Sequence, residues 1–128
     1  MTKTITEKNI YGRKVRTNNQ NPDEILNLWE AFSRLNVQGD VYAVYSNYAS
    51  DFTGDYDLHI GTEENVTNES NVKIPAGNYY VIDVDPTIEN AVFNAWVEIW
   101  GSELQRAYTT DFEFYGTDGR VQIYLSMK

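Results

Sequence analysis

The side chains best able to do chemistry converge near the end of the chain. Arg106-Ala107-Tyr108 is followed by Asp111-Phe112-Glu113-Phe114-Tyr115, a glycine-bounded turn, and Val121-Gln122-Ile123-Tyr124-Leu125. The pattern predicts an aromatic β-hairpin with Glu113 set between two phenylalanines. Strand alternation sends Phe112 and Phe114 to one face and Asp111, Glu113 and Tyr115 to the other. The phenylalanine face reads as core. The opposite face sets negative charge beside aromatic surface, a combination suited to a cationic, greasy ligand. The plain alternative is a solvated strand face on which Glu113 is an ordinary surface carboxylate.

Other candidates are fewer. Trp29 and Trp96 fall on helical apolar stripes, where rings serve as core or as the edge of a pocket, and Trp100 adjoins the second stripe. Tyr42 and Tyr45, three apart on a strand, face opposite sides, and Tyr45 is assigned to the pocket side. The single histidine, His59, stands beside Asp57 in a strand pattern and reads as a surface or half-buried side chain. Asp51, Asp55 and Asp57 lack the glycine and distal glutamate of an EF-hand loop and fall at a turn, where Asp is common. With no cysteine there is neither a thiolate nucleophile nor a thiolate metal site. No glycine-rich phosphate loop occurs, so no cofactor is expected.

Two similar runs of elements must position these groups. A strand over Ile10 to Arg16 precedes a helix that starts with Asn21 as N-cap, Pro22 at the first helical position and Glu24 closing a capping box. Ile25, Leu28, Trp29, Phe32 and Leu35 mark its buried stripe, with an end near Gly39. Strands Val41 to Tyr45 and Tyr56 to Ile60 complete a β-α-β-β unit around the Gly54 turn. After a polar connector at 63–71, a strand over Tyr79 to Val84 leads to a second helix opened by Asp85-Pro86 or Thr87. Ile88, Val92, Trp96 and Ile99 form its stripe and Gly101 its stop, and the aromatic hairpin completes a second β-α-β-β. The expectation is a single α+β domain over 1–128. It is a pseudo-twofold duplication, with halves at about 1–64 and 72–128, an antiparallel sheet and a cleft between the modules. With a helix on one sheet face of each module, the opposite faces are expected to curve around that cleft.

Composition limits the partners. The chain of 128 residues has a formal net charge of −9 and is 14% aromatic, with ten tyrosines. Five of its ten basic residues lie in the first sixteen positions, and residues 35 to 105 hold only Lys73. Direct nucleic-acid binding is disfavoured, because such grips need clustered positive charge. Cationic small molecules or a basic protein surface are the electrostatically natural partners. No apolar run reaches the roughly 18 residues of a membrane span, and the start lacks a signal peptide's apolar core, so the expected location is cytoplasmic, with no membrane partner.

Taken in order, these residues resemble the gyrase-inhibitor-like effector-binding domain that ends many AraC-type and MerR-type bacterial regulators and also occurs alone. The marks are Leu28-Trp29 and Phe32; Val41 to Tyr45 with Tyr48 and Asp51; Gly54-Asp55-Tyr56 leading to Ile60-Gly61; Ile74-Pro75-Ala76-Gly77; Trp96 and Trp100; Asp111-Phe112-Glu113 with Tyr115; and Ile123-Tyr124-Leu125. The resemblance implies an aromatic pocket between two β-α-β-β modules, in which a buried glutamate answers the charge of lipophilic cations, as in multidrug-binding regulators. That role carries over to Glu113, with Tyr124 beside it on the neighbouring strand and Tyr45, Tyr115, Trp29, Trp96 and Trp100 around it. Some relatives instead use the glutamate to hydrolyse electrophilic compounds, and others are read as binding gyrase, so a hydrolase and an acidic protein-interaction module remain alternatives. No helix-turn-helix segment is found in the sequence, so the expectation is an effector domain standing alone rather than a transcription factor.

Overall fold

The computed structural model describes residues 1–64 and 70–128. The described residues form strands β1 (Thr2–Ile5), β2 (Lys8–Thr17), β3 (Val41–Ser46), β4 (Tyr56–Thr62), β5 (Ser70–Ile74), β6 (Gly77–Val84), β7 (Thr110–Tyr115) and β8 (Val121–Ser126). Two helices, α1 (Pro22–Ser33) and α2 (Ala91–Trp100), interrupt them. The polar connector expected at 63–71 lies partly outside the described residues, and its last positions enter β5.

The strands make one antiparallel sheet in the order β1-β6-β8-β7-β3-β4-β2-β5. Reading outward from the central β7/β3 pair, β8-β6 on one side answers β4-β2 on the other. This is the expected pseudo-twofold repeat of β2-α1-β3-β4 and β6-α2-β7-β8. The leading strands are exchanged: β1 precedes β2 but pairs with β6, and β5 precedes β6 but pairs with β2. Neither is marked in the sequence because both are short: β1 has one apolar residue, Ile5, and β5 only the pair Val72 and Ile74.

Helix starts differ from expectation for local reasons. Asn21 makes no side-chain cap; its amide donates to Asn18, while Glu24 accepts from the Thr17 hydroxyl instead of closing a capping box. Pro22 and the acidic Asp23 and Glu24 still favour the first turn through fixed φ and the helix dipole. The helix stops at Ser33, short of Gly39, as Asn36 turns to φ 54°. Asp85 accepts from both the amide and the hydroxyl of Thr87, building a separate turn. Asn90 then adopts φ 58°, so α2 begins at Ala91 rather than at residues 85–87.

Both faces of the sheet are buried. Leu58 and Ile60 pack under α1 with Leu28 and Phe32, and Ile123 and Leu125 pack under α2 with Trp96 and Ile99. The other face is closed by the sheet's own curl, which gathers Tyr42, Val44, Phe112, Phe114, Tyr79 and Tyr124 with Ile5 and Val72 from the edge strands. Gly12 and Gly61 face each other across β2 and β4, and a Cβ on Gly61 would run into the Tyr11 carbonyl. Gly61→Ala is expected to cost at least about 1–3 kcal/mol by overpacking, read as a lower urea midpoint.

His59 pairs with Val44 and is 4% exposed, more buried than its alternation suggested. Burial, followed by the charge of Lys14, lowers its pKa to about 4. A depressed folded pKa contributes stability that is present above the unfolded value of about 6.5 and lost as pH falls through about 4. The prediction is an imidazole that stays neutral at pH 5.5 in an NMR titration, with an acid-unfolding limb that His59→Gln makes shallower.

Candidate functional site

Glu113 lies at the centre of the sheet, opposite Ala43 on β3 and Ile123 on β8. The small Ala43 side chain leaves room above the carboxylate. Tyr45 and Asp111, themselves a cross-strand pair, and Tyr115 share this face, which is the face covered by the helices. Three side chains donate to the carboxylate: Trp96 Nε1 to Oε2 at 2.6 Å, Tyr45 Oη to Oε2 at 2.8 Å, and Tyr115 Oη to Oε1. The residue is 3% exposed, and burial raises its pKa above the ordinary carboxylate range, against the opposing pull of those three hydrogen bonds. Burial and the nearby Glu113 charge hold both Tyr45 and Tyr115 far above the usual phenol value, so they remain donors.

Above this floor lies a cavity of about 460 Å³ between the two helices. Ile25, Leu26 and Trp29 of α1 form one wall, and Val92, Phe93, Trp96 and Trp100 of α2 the other. Tyr48, Phe52, Tyr56 and Arg106 close the far end. The rings meet mostly edge to face: Tyr45 lies 5.4 Å from Trp96 and 5.3 Å from Tyr56, and Trp29 lies 5.3 Å from Tyr115. Phe52 stacks on Trp100 at 5.9 Å. Leu26 and Phe93, 59% and 60% exposed, form an apolar rim. An apolar slot with one carboxylate at its floor attracts a cation through ring faces and charge, both strengthened away from water.

A second ionic element sits beside it. Asp111, fully buried two residues before Glu113, accepts from Arg106 Nη2 at 2.8 Å, Tyr48 Oη at 2.6 Å, and both the amide and hydroxyl of Ser126.

Glu113, Tyr45, Tyr115, Trp29, Trp96 and Trp100 therefore surround one cavity, and Tyr124 does not. Register pairs Tyr124 with Phe112, its ring stacks on Phe112 at 4.4 Å, and its hydroxyl donates to Gln122. It lines a separate hollow on the other face, beside Tyr42, Lys3 and Arg120. The expectation failed because alternation was judged against one core when each face has its own. For the same reason the cleft lies between the helices and not on the opposite faces of the modules. Tyr48, Phe52, Tyr56 and Arg106 were missed because they come from loops or strand ends whose convergence only the fold sets. Leu26 and Phe93 lie off the buried stripes of their helices, a signal for a rim. The carboxylates of Asp51, Asp55 and Asp57 serve separate partners, namely Thr53, Asn18 and the pair Arg16 and Asn47.

Residues 3–127 match the Cass2 family of integron-associated effector binding proteins. The chain belongs to this family. Its fold is similar to the Vibrio cholerae integron cassette protein VCH_CASS2, with 29% identity, TM-score 0.87, and coverage of 100% of this chain and 95% of that one. The structure of SAV2435 bound to tetraphenylphosphonium shares the fold at 12% identity and TM-score 0.76, covering 100% of this chain and 93% of that one. In Bacillus subtilis, YobU, a candidate transcriptional regulator, is 31% identical over 75% of this chain and 69% of its own length. Membership of this effector-binding family makes a small molecule the partner class. No helix among the described residues is long and apolar enough to cross a membrane.

Proposed function

We propose that this member of the effector-binding family takes hydrophobic, cationic small molecules into the cleft between α1 and α2, with Glu113 as counter-charge. The observation that carries the reading is a buried carboxylate at the floor of a ring-lined cavity, held by Trp96, Tyr45 and Tyr115. Desolvation of the ligand's apolar body supplies most of the affinity, at roughly 25 cal/mol per Å² buried, and the anion selects for positive charge. The tetraphenylphosphonium held by SAV2435 supports the same ligand class here. Binding only the folded state, tetraphenylphosphonium at 100 times its Kd should stabilise the protein by about 2.7 kcal/mol. Thermal shift and calorimetry with tetraphenylphosphonium test this, and the absence of both signals with it and with other lipophilic cations would sink the reading. Mass spectrometry after long incubation separates binding from the hydrolytic alternative, since a bound cation is recovered intact.

A further inference from the structure

Arg106 is hard to explain in a cleft built only for cations. It lines the same cavity as Glu113, its side chain is 3% exposed, and Asp111 engages only its Nη2. Nε and Nη1 are buried with no hydrogen-bond partner among the described residues. Buried donors are nearly always satisfied, and those of a guanidinium are the more costly to leave unmade because the group cannot discharge itself. The Tyr108 and Trp96 rings pack over the guanidinium, with centroids 4.4 Å and 5.6 Å from Cζ. Tyr108 is half-buried and sits at φ 55°, a left-handed conformation uncommon for a bulky residue, in the irregular segment between α2 and β7.

The geometry points to an acceptor-reading subsite at Arg106, covered by the Tyr108 ring, so that the cleft recognises dipolar ligands. Such a ligand carries a positive centre toward Glu113 and a carboxylate or ester oxygen toward Arg106. The inference rests on the cation-binding reading and deepens it. Two features favour an acceptor over a second cation. Arg106 presents two unfilled donors, Nε and Nη1, fixed in the guanidinium plane, and each can take an acceptor oxygen in a charge-assisted hydrogen bond. Glu113, by contrast, has both oxygens already engaged, so it acts on a ligand mainly through its charge and leaves directional recognition to Arg106.

A matched pair of probes tests this. Pentyltriphenylphosphonium and (4-carboxybutyl)triphenylphosphonium differ only in whether a methyl or a carboxylate ends the arm. In an apolar slot without Arg106 the carboxylate arm should bind more weakly, because its desolvation is uncompensated. With the subsite present, calorimetry at pH 8 should find the carboxylate compound tighter by about tenfold or more, as expected of a charge-assisted, desolvated contact. Arg106→Lys, which keeps a cation for Asp111 but lacks the Nε and Nη1 donors, should erase the preference. Should that variant fold poorly, the charge-neutral pair Arg106→Gln with Asp111→Asn serves the same purpose. The Arg106 Nε–H resonance should shift with the carboxylate compound and not with the pentyl one.

A wild-type preference for the pentyl arm, a preference that survives loss of Arg106, or an Nε–H signal indifferent to the carboxylate each overturns the subsite. If the pentyl compound still binds in a Glu113-dependent way, the cation-binding reading stands and only the subsite falls. If neither compound binds, both fall together.

Discussion

Replacing Glu113 by Gln is expected to weaken tetraphenylphosphonium binding on the order of 100-fold, about 3 kcal/mol, within the range for removing one charge of a desolvated pair. The substitution keeps the side chain's size and one oxygen for Trp96 or Tyr45, so the aromatic walls remain and residual binding reports apolar burial alone. Protonation should have a similar effect. Because burial raises the pKa of Glu113, its ionised fraction falls as pH is lowered through that raised value. A cation favours the ionised form, so affinity should drop on acidification and binding near the pKa should release a proton. In the unliganded protein Glu113 itself contributes the opposite dependence: a raised folded pKa contributes stability that is present below the unfolded value and lost as pH rises through the folded one. In Glu113→Gln the affinity dependence and this contribution to stability should vanish, leaving the acid limb of His59. Calorimetry in buffers of different ionisation enthalpy, from pH 5 to pH 8, separates the proton from the cation. Affinity that is flat with pH and unchanged in the variant would remove Glu113 from the mechanism.

Local chemistry was readable in the sequence wherever one surface determined it. The α1 stripe, Val92, Trp96 and Ile99 of the α2 stripe, the two β-α-β-β runs and the grouping of Asp111, Glu113 and Tyr115 on one face follow from periods of 3.6 and 2 and survive in the structure, whereas Ile88 falls in the turn before α2 and is exposed. What failed depended on a second surface. Tyr124 and Glu113 were each judged to point away from a core, but Phe112 and Ile123 belong to different cores on opposite faces, so the two side chains point apart. An antiparallel sheet usually leaves one face to water, and here the curled sheet brings Ile5 of β1 and Val72 and Ile74 of β5 onto it, from strands too short to show a clear period. The far end of the cavity was invisible for a related reason. Tyr48, Phe52 and Arg106 are brought together from two irregular segments, and only the pairing of β3 with β7 makes those segments neighbours.

Asp111→Asn should be the most damaging polar substitution in the chain for stability, at about 3–5 kcal/mol, the usual cost of breaking a buried ion pair by removing one partner. The Asp111 carboxylate is fully buried and accepts four hydrogen bonds, so an amide in its place cannot accept from all of Arg106, Tyr48 and the two Ser126 donors. The larger part of the loss comes from Arg106, whose charge would remain in a dry site with no counter-ion and with Nε and Nη1 already unsatisfied. Against a typical domain stability of about 5–15 kcal/mol, this is enough to populate unfolded chains at 37 °C. Urea unfolding should show a much lower midpoint for Asp111→Asn and partial recovery in the double variant with Arg106→Gln, because removing both charges avoids the orphaned one. Asp118→Asn, which breaks the exposed pair with Arg120, should leave the midpoint where it was, since solvent screens that pair. An Asp111→Asn midpoint equal to that of Asp118→Asn would mean that water reaches Arg106 in solution, and the orphaned donors would then have a partner other than a ligand.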